Sequence, residues 1–259
     1  MKKFFPKFVI LIFSRPNSKR LKKKYECKVG KYDLIEIPII RLKKIFSNKM
    51  IKLCVPTNSV KIYKKYSDRY DIEIFHGPED DMMYRIIKNI KNYDFFIRVT
   101  GDDPLTSPEL ILEYIKKTKK EKVDYIYSEG IPDGLIPELV SKRYIKYIYN
   151  YVKDKNSTNF LTYYLIRKFK NFKIIKILLP YKDISNITLS IDYKKDLLKL
   201  NWLLNKIKFD ININQNNLIK LIRKFKDNLN NFSKRKYFNL VTNSYDVRLK
   251  NERNKRFYY

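Results

Sequence analysis

Short apolar segments alternate with longer amphipathic segments along the chain. The short segments are rich in Val, Ile and Phe, which is typical of strands that are buried on both faces of a parallel sheet. The predicted strands are Phe8–Phe13, Ile51–Val55, Ile72–Phe75, Phe95–Val99, Tyr125–Tyr127, Ile174–Leu179 and Thr188–Ile191. This alternation predicts an α/β fold with a mostly parallel central sheet and helices on both of its faces.

The longer segments repeat apolar residues three or four positions apart, the spacing of a helix that packs one face on a core. The clearest helix start is Ser107-Pro108-Glu109, because Ser caps the helix, Pro suits its first turn and Glu faces the positive end of its dipole. The predicted helices are Leu34–Phe46, Met82–Ile90, Pro108–Lys120, Lys142–Val152, Thr158–Phe169, Lys194–Ile207 and Gln215–Phe225. Residues 1–227 are expected to form one domain, and the polar, basic residues 228–259 a tail, packed or loose.

The net charge of +30 over 259 residues changes this picture only in part. Such a charge would suit a polyanionic partner, but the lysines are spread along the whole chain. Abundant Lys, Asn, Ile, Tyr and Phe favour compositional drift as its origin, and we expect no specific nucleic-acid partner. Cys27 and Cys54 match no metal or redox spacing, which favours a reducing compartment. No segment approaches the roughly 18 apolar residues of a spanning helix, so we expect a cytoplasmic chain without membrane insertion.

Candidate chemistry begins at the carboxyl end of the first predicted strand. The loop Ser14–Lys24 carries hydroxyl groups and several Arg and Lys side chains. Open α/β sheets bind ligands at the carboxyl ends of their strands. Guanidinium forks and ammonium groups in such a loop can hold a triphosphate, although a basic surface loop has the same composition.

Two further predicted strands end in acidic residues. Asp102 and Asp103 follow the strand Phe95–Val99, and Asp192 follows the strand Thr188–Ile191. Carboxylates at strand ends suit Mg²⁺, which takes one or two acidic ligands together with substrate phosphates. The same residues also occur in ordinary turns and helix starts, so the pattern alone leaves both interpretations open.

Taken in order, these segments resemble the cytidylyltransferase family of spore-coat polysaccharide biosynthesis proteins, which is related to acylneuraminate and 3-deoxy-manno-octulosonate cytidylyltransferases. Val9–Lys24 is similar to the family's strand followed by A-R-x-G-S-x-R-L-P-G-K. The most specific similarity is between Phe96–Glu109 and a strand with R-x-T-G-D-x-P-x-x-x-P-E. Further segments are similar to F-x-G-x-x-x-D-V-L-x-R-Y (Phe75–Asp81 with Tyr84-Arg85), D-Y (Asp124-Tyr125), P-D-G-x-x-x-E (Pro132–Glu138) and L-x-x-D-x-x-x-D-L (Leu189–Leu197).

The resemblance implies a Rossmann-like nucleotide-diphospho-sugar transferase fold. It implies transfer of CMP from CTP to a sugar, an acidic or surface-polysaccharide sugar, with release of pyrophosphate. It also implies a Mg²⁺ cofactor held by Asp102 and Asp192, and a homodimer. The residues implied to line the nucleotide are Arg15, Ser18, Arg20, Lys24, Arg98 and Thr100, and Arg15 and Lys24 would act with Asp102 in catalysis. Asp133 and Glu138 would lie near the sugar acceptor.

The chain departs from the family pattern at several positions. Asn17 stands where the family has Gly, and Lys22 and Lys23 replace a Pro-Gly pair before Lys24. The family's R-E-H-V-T stretch falls on Thr158–Thr162, where its Arg, Glu and His are missing. The single histidine, His76, has no Ser or Cys partner in the pattern, and we interpret it as a loop or nucleotide-edge contact.

Two other functions compete with nucleotidyl transfer. A glycosyltransferase of the same fold would use paired acids to hold a nucleotide-sugar and would release a nucleoside diphosphate. A non-catalytic polyanion binder would instead bind DNA or RNA with strong salt dependence. The sequence has no zinc knuckle, helix-turn-helix signature or aromatic RNA-binding motif, which disfavours the second alternative.

Overall fold

The computed structural model describes residues 6–18, 20–152, 161–167 and 169–232. Its strands are β1 (Phe8–Phe13), β2 (Lys28–Val29), β3 (Tyr32–Asp33), β4 (Ile51–Pro56), β5 (Glu73–Gly77), β6 (Phe95–Thr100), β7 (Tyr125–Glu129), β8 (Glu138–Ser141) and β9 (Ile174–Leu178). Its helices are α1 (Glu36–Lys43), α2 (Val60–Tyr70), α3 (Met82–Asn89), α4 (Pro108–Lys120), α5 (Lys142–Tyr151), α6 (Leu161–Leu165), α7 (Lys194–Asn205), α8 (Gln215–Lys224) and α9 (Lys226–Phe232).

Seven of these strands form the central sheet, in the order β5-β4-β1-β6-β8-β7-β9. All neighbours in it are parallel except β8, which is antiparallel to both β6 and β7. The chain passes from β1 outward to β4 and β5 and then returns to the other side of β1 as β6. This reversal opens a crevice between the carboxyl ends of β1 and β6, where open α/β sheets bind their ligands.

Apolar side chains cover both faces of the sheet. Alternate residues of β1 point to opposite sides, so that Ile10 and Ile12 join one buried cluster while Val9 and Leu11 join the other. The first cluster includes buried residues of α1, α2, α4, α7, α8 and α9. The second includes buried residues of α3, α5 and α6. The mostly parallel sheet with helices on both faces is therefore confirmed.

The structure confirms six of the predicted strands to within two residues at each end, and it corrects the seventh. Residues Thr188–Ile191 form no strand, and only Thr188 makes an isolated bridge, to Asp133. The reason is that their backbone amides are used within the loops: Leu189 donates to the Asp133 carbonyl at 2.7 Å and Ile191 to the Asp102 carbonyl at 2.8 Å. The segment thus fastens two loops together and adds no strand to the sheet.

Several helices are shorter than predicted, and two were missed. The predicted Leu34–Phe46 begins at Glu36 and ends at Lys43, and the predicted Thr158–Phe169 is observed only over Leu161–Leu165, with 158–160 and 168 outside the described residues. The helices α2 and α9, the strand β8 and the β2–β3 hairpin were not predicted. None of the helices in the described ranges combines the length and the apolar character needed to cross a membrane.

The expected boundary between residues 227 and 228 falls inside α9. Leu229 in this helix is buried in the larger core cluster, so the helix packs on the domain. Residues 233–259 lie outside the described part of the chain. The division into a domain and a tail remains a prediction.

Candidate active site

The loop after β1 is held against the helix α2. The Ser14 and Tyr63 hydroxyl groups are hydrogen-bonded at 2.7 Å, and the Tyr25 ring packs on Tyr63 with 5.2 Å between ring centroids. Lys23 adopts a left-handed conformation with φ 47°, and Lys24 then begins a short 3-10 helix that ends at Glu26. These contacts turn the Lys24 side chain, which is only 11% exposed, toward the end of β6.

Lys24 brings together the two acids predicted to bind metal. Its Nζ atom donates to Asp102 Oδ2 at 2.8 Å and to Asp192 Oδ1 at 3.2 Å. Arg20 Nη2 lies 2.7 Å from the same oxygen of Asp192. Residues separated by 168 positions therefore meet at one point, in the crevice between β1 and β6. Burial would raise the pKa of Asp102, but the Lys24 ammonium holds that pKa below its ordinary value.

Backbone hydrogen bonds fix both carboxylates. Gly101 N donates to the Phe13 carbonyl at 2.7 Å, which continues the pairing of β6 and β1 up to Asp102. The Asp196 carboxylate, at the first turn of α7, accepts from the Asp192 and Tyr193 amides at 3.0 and 2.8 Å. Asp196 therefore acts as a capping residue at the start of α7, and its hydrogen bond to the Asp192 amide orients Asp192.

Two more acids, Asp103 and Asp133, lie beside this pair. Asp103 accepts a hydrogen bond from the Thr100 hydroxyl, while Asp133 accepts from the Thr188 hydroxyl at 3.2 Å and from the Gly134 amide at 3.0 Å. Burial, followed by the charges of Asp102 and Asp133, raises the pKa of Asp103 to about 7. Burial also raises the pKa of Asp133, with smaller contributions from Asp192 and Asp102. The hydrogen bonds from Leu189 N to the Asp133 carbonyl and from Ile191 N to the Asp102 carbonyl hold the loops of these acids together in one polar region.

The loop after β7 is fitted tightly to the segment that carries Asp192. Gly134 has φ +90°, and a Cβ atom added there would lie 2.6 Å from the Ser190 amide nitrogen. Only glycine fits a position that combines this backbone conformation with so close an approach. The P-D-G sequence therefore sets the distance between Asp133 and the Asp192 loop.

The donor chemistry of Asp102 and Asp192 fits a divalent cation. Both carboxylates already contact one positive charge, the Lys24 ammonium, so a cation is electrostatically favoured at this position. No three Asp, Glu, His or Cys side chains in the described ranges are grouped to hold a metal ion. Mg²⁺ commonly takes only one or two protein carboxylates and completes its coordination with water and phosphate oxygens. A site of this kind would form together with a bound triphosphate.

Arg98 and Glu138, which were predicted to contact different substrates, contact each other. Arg98 pairs with the Glu138 carboxylate and donates to the Thr162 hydroxyl at 3.1 Å. Tyr125 donates to the other oxygen of Glu138 at 2.5 Å. Burial by itself would lower the pKa of Arg98, but the Glu138 carboxylate raises it above its ordinary value. This network joins β6, β7, β8 and α6, and its roles toward substrates remain predictions.

Arg15 and Ser18 lie in the loop after β1, as predicted. Arg15 is exposed, and the Ser18 hydroxyl accepts from the Leu21 amide at 3.3 Å, which closes a turn in this loop. The structure therefore groups Arg20, Lys24, Asp102 and Asp192 by direct contact and places Asp133 beside them. It leaves Arg15 at the rim of the same crevice.

One candidate was missed at the sequence level. Arg85 on α3 is 3% exposed, its Nε atom has no hydrogen-bond partner among the described residues, and its Nη2 reaches only the Glu79 carbonyl, at 3.3 Å. Burial lowers the pKa of Arg85, and Arg15 is close enough to lower it further. A buried guanidinium without a carboxylate partner is costly unless an anion satisfies it. Arg85 therefore extends the cationic side of the site toward the loop after β5.

The arrangement combines a cationic loop, a carboxylate pair that can hold a divalent ion, and a further acidic region around Asp103 and Asp133. Cationic side chains with a bound metal can neutralise a polyphosphate, and the adjacent carboxylates can accept hydrogen bonds from hydroxyl groups. This division of charge suits transfer between a phosphorylated donor and a hydroxylated acceptor.

A family profile matches most of the chain, and two curated relatives match half of it or more. The profile of a family described as Cytidylyltransferase matches residues 9–225. The chain is 32% identical over 196 residues to the uncharacterized protein MJ1063 of Methanocaldococcus jannaschii, covering 73% of this chain and 80% of that one. It is 26% identical over 140 residues to the spore coat polysaccharide biosynthesis protein SpsF of Bacillus subtilis, covering 51% of this chain and 58% of that one.

Two solved structures share the fold. A cytidylyltransferase from Leptospira borgpetersenii has a TM-score of 0.79 at 18% identity, over 90% of this chain and 99% of that chain. A CMP:2-keto-3-deoxy-manno-octonic acid synthetase, solved as a complex with CTP, has a TM-score of 0.58 at 11% identity, over 78% and 99% of the two chains. At these identities the likeness shows the fold, and it confirms the Rossmann-like nucleotidyltransferase architecture.

Proposed function

Because the chain belongs to the cytidylyltransferase family, we propose that it transfers CMP from CTP to a hydroxyl group of a sugar and releases pyrophosphate. Membership makes the chain a nucleotidyltransferase. The relative from Bacillus subtilis is named for spore-coat polysaccharide biosynthesis, which supports a surface-polysaccharide sugar as the acceptor. The observation that carries the proposal is the meeting of Asp102 and Asp192 at Lys24, beside the loop after β1.

The reaction is a direct displacement at the α-phosphorus of CTP. An oxygen of the sugar hydroxyl forms a bond to this phosphorus while the bond to the bridging oxygen of the β-phosphate breaks. The hydroxyl proton passes to water, and the electron pair of the broken bond leaves with pyrophosphate. No covalent intermediate with the protein is required, because both substrates can be bound together in line.

The residues of the loop after β1 would hold the triphosphate. Lys24 and Arg20 lie at the carboxylate pair and Arg15 at the rim, so their charges can stabilise the departing pyrophosphate. Arg85, whose Nε atom has no hydrogen-bond partner among the described residues, supports a further phosphate contact on the same side. Ser18, Arg98 and Thr100 stay as predicted nucleotide contacts.

Asp102 and Asp192 would hold a Mg²⁺ ion. When bound, this ion offsets negative charge on the phosphate oxygens. Lys24 bridges the two carboxylates, and its ammonium charge would also be available to a phosphate oxygen of the bound triphosphate. Asp133, which lies beside this pair, would accept a hydrogen bond from the sugar.

The test is a reaction of CTP with a panel of sugars in the presence of Mg²⁺, read by pyrophosphate release and by mass spectrometry of the CMP-sugar. We expect Asp102→Asn to lower kcat by about a hundredfold or more, as when other transition-state charge stabilisation is lost. Asp80→Asn, a change of the same kind at an exposed carboxylate, is the matched control. Full activity of Asp102→Asn would remove the metal assignment.

The same reaction mixtures separate the glycosyltransferase alternative. That activity would consume a nucleotide-sugar and release a nucleoside diphosphate in place of pyrophosphate. A cytoplasmic location and a homodimer through the region Asp133–Leu179 are further proposals. The dimer has some support from β9, which forms one edge of the sheet and leaves Leu178 62% exposed.

A further inference from the structure

Two loops on the nucleotide side of the sheet carry paired polar side chains that the proposed mechanism does not use. Asn58 follows β4, and its Nδ2 atom donates to Glu79 Oε2 at 3.2 Å in the loop after β5. Beside them, the Thr57 hydroxyl lies 3.2 Å from His76 Nδ1. Both pairs join the carboxyl ends of two neighbouring parallel strands, which is the ligand-binding edge of the sheet.

The position of these pairs follows from the topology. The triphosphate site lies at the crevice between β1 and β6, and β4 and β5 continue the sheet on the other side of β1. The first βαβαβ half of a doubly wound sheet is the mononucleotide-binding half. Arg85 lies between the triphosphate site and the loop after β5. It is close enough to Arg15 for that charge to lower its pKa, and its guanidinium donates to the Glu79 carbonyl. A nucleotide with its phosphates at Lys24 and Arg85 would therefore extend its base toward Glu79.

Glu79 is held in place before any nucleotide binds. Its backbone is fixed by the Arg85 guanidinium and its Oε2 by Asn58, and the residue is half-buried. The second carboxylate oxygen, Oε1, makes no hydrogen bond among the described residues and can accept one. A fixed carboxylate acceptor selects ligands that present an N–H group and disfavours ligands that present an oxygen lone pair.

Cytosine and uracil differ in this respect at one ring position. Cytosine carries an amino donor at C4 where uracil carries a carbonyl acceptor, and Glu is a known type of acceptor for that amino group. We propose that Glu79, supported by Asn58, binds the C4 amino group of the base and thereby selects CTP over UTP. This inference rests on the proposed function, because it assumes that a pyrimidine triphosphate binds in the crevice.

The experiment compares the Kd values of CTP and UTP, measured by calorimetry with Mg²⁺, for the unchanged protein and for Glu79→Gln. Gln keeps an oxygen that can accept from Asn58 but offers an amide N–H to a uracil carbonyl. We expect the preference for CTP over UTP to fall by about tenfold or more, mainly because CTP binds more weakly. Asn58→Ala should shift the ratio in the same direction by less, since Glu79 loses its support. Asp80→Asn, which removes a neighbouring exposed carboxylate, should leave the ratio unchanged.

The outcomes separate this inference from the proposed function. An unchanged CTP/UTP ratio in Glu79→Gln, with tight CTP binding, would overturn the role of Glu79 and leave nucleotidyl transfer standing. Equal affinity of the unchanged protein for CTP and UTP would also overturn it. Failure of the unchanged protein to bind either triphosphate would overturn both proposals. Melting temperatures of the three variants, compared with that of the unchanged protein, exclude misfolding as the cause of a lost affinity.

Discussion

At the scale of single residues, Asp103 has an ionisation that should be visible in stability measurements. Its pKa is raised to about 7 by burial and then by the neighbouring charges of Asp102 and Asp133. A carboxyl group whose pKa is raised on folding contributes stability that is complete below its unfolded pKa of about 3.9 and is lost as the pH rises through about 7. Above neutral pH, the ionised Asp103 carboxylate therefore lowers the free energy of unfolding.

We predict that Asp103→Asn raises the melting temperature by a few degrees at pH 8 and by much less near pH 4.5. Asn keeps a neutral oxygen that can accept from Thr100, so the difference reports the cost of the charge. Melting curves with EDTA across this pH range check the prediction, because a bound metal would neutralise the acids. Asp80→Asn should show no such pH-dependent gain. A gain of equal size at both ends of the range would contradict the prediction.

The sequence identified some residues of the site and missed others for a physical reason. Asp102 and Asp192 were predicted because they follow apolar segments, and the structure brings them within reach of one lysine. Arg85 matches one position of a family motif, but nothing in the sequence assigns it a role. Its importance comes from burial and from the lack of a carboxylate partner, which depend on packing. Gly77 permits that packing, since a Cβ there would lie 3.0 Å from Arg85 Cβ.

At the scale of secondary-structure elements, strands with long apolar runs could be predicted and short ones could not. β8 has four residues, and its Glu138 is buried only because Arg98 and Tyr125 satisfy the carboxylate. Helix α2 buries Tyr63 and Tyr66 on an otherwise polar sequence, so few apolar residues mark it. Thr188–Ile191 has the composition of a strand, but its amides are bound by two loops. In each of these segments, tertiary contacts determine whether a strand or a helix forms.

The turn before Lys24 carries backbone strain that the sequence only partly indicated. Lys23, at the position where the family has Gly, adopts φ 47° and ψ 41°. The left-handed region costs a residue with a Cβ atom about 1–2 kcal/mol, whereas glycine adopts it readily. The strained residue therefore lies directly before Lys24, which contacts both Asp102 and Asp192.

We predict that Lys23→Gly raises the melting temperature by a few degrees, since relief of the strain exceeds the added freedom of the unfolded chain. Lys22→Gly is the matched control, because it removes the same charge one residue earlier at a position without a positive φ, and we expect it to lower the melting temperature. Thermal unfolding monitored by circular dichroism compares the two variants. A Lys23→Gly variant that is less stable than Lys22→Gly would show that the turn is not strained.

At the scale of the whole molecule, the charge of +30 surrounds a site that itself contains four neighbouring carboxylates. The field of the chain attracts a triphosphate from a distance, while the local acids require Lys24, Arg20 and a metal to accommodate it. Long-range attraction between exposed charges is screened within about 10 Å at 0.1 M salt, whereas contacts inside the crevice are screened much less. Added salt should therefore mainly lower the rate at which CTP associates with the protein.

We predict that kcat/KM for CTP falls severalfold between about 0.05 and 0.3 M KCl while kcat changes little, because screening slows encounter and leaves the bound complex intact. Steady-state rates at a fixed free Mg²⁺ concentration measure both parameters. Potassium acetate in place of KCl tests whether chloride binds specifically, and the KM of an uncharged sugar acceptor should not respond to either salt. A parallel fall of kcat would place the effect of salt inside the crevice, at the carboxylates and their cation, and would contradict a role for the overall charge in drawing CTP to the protein.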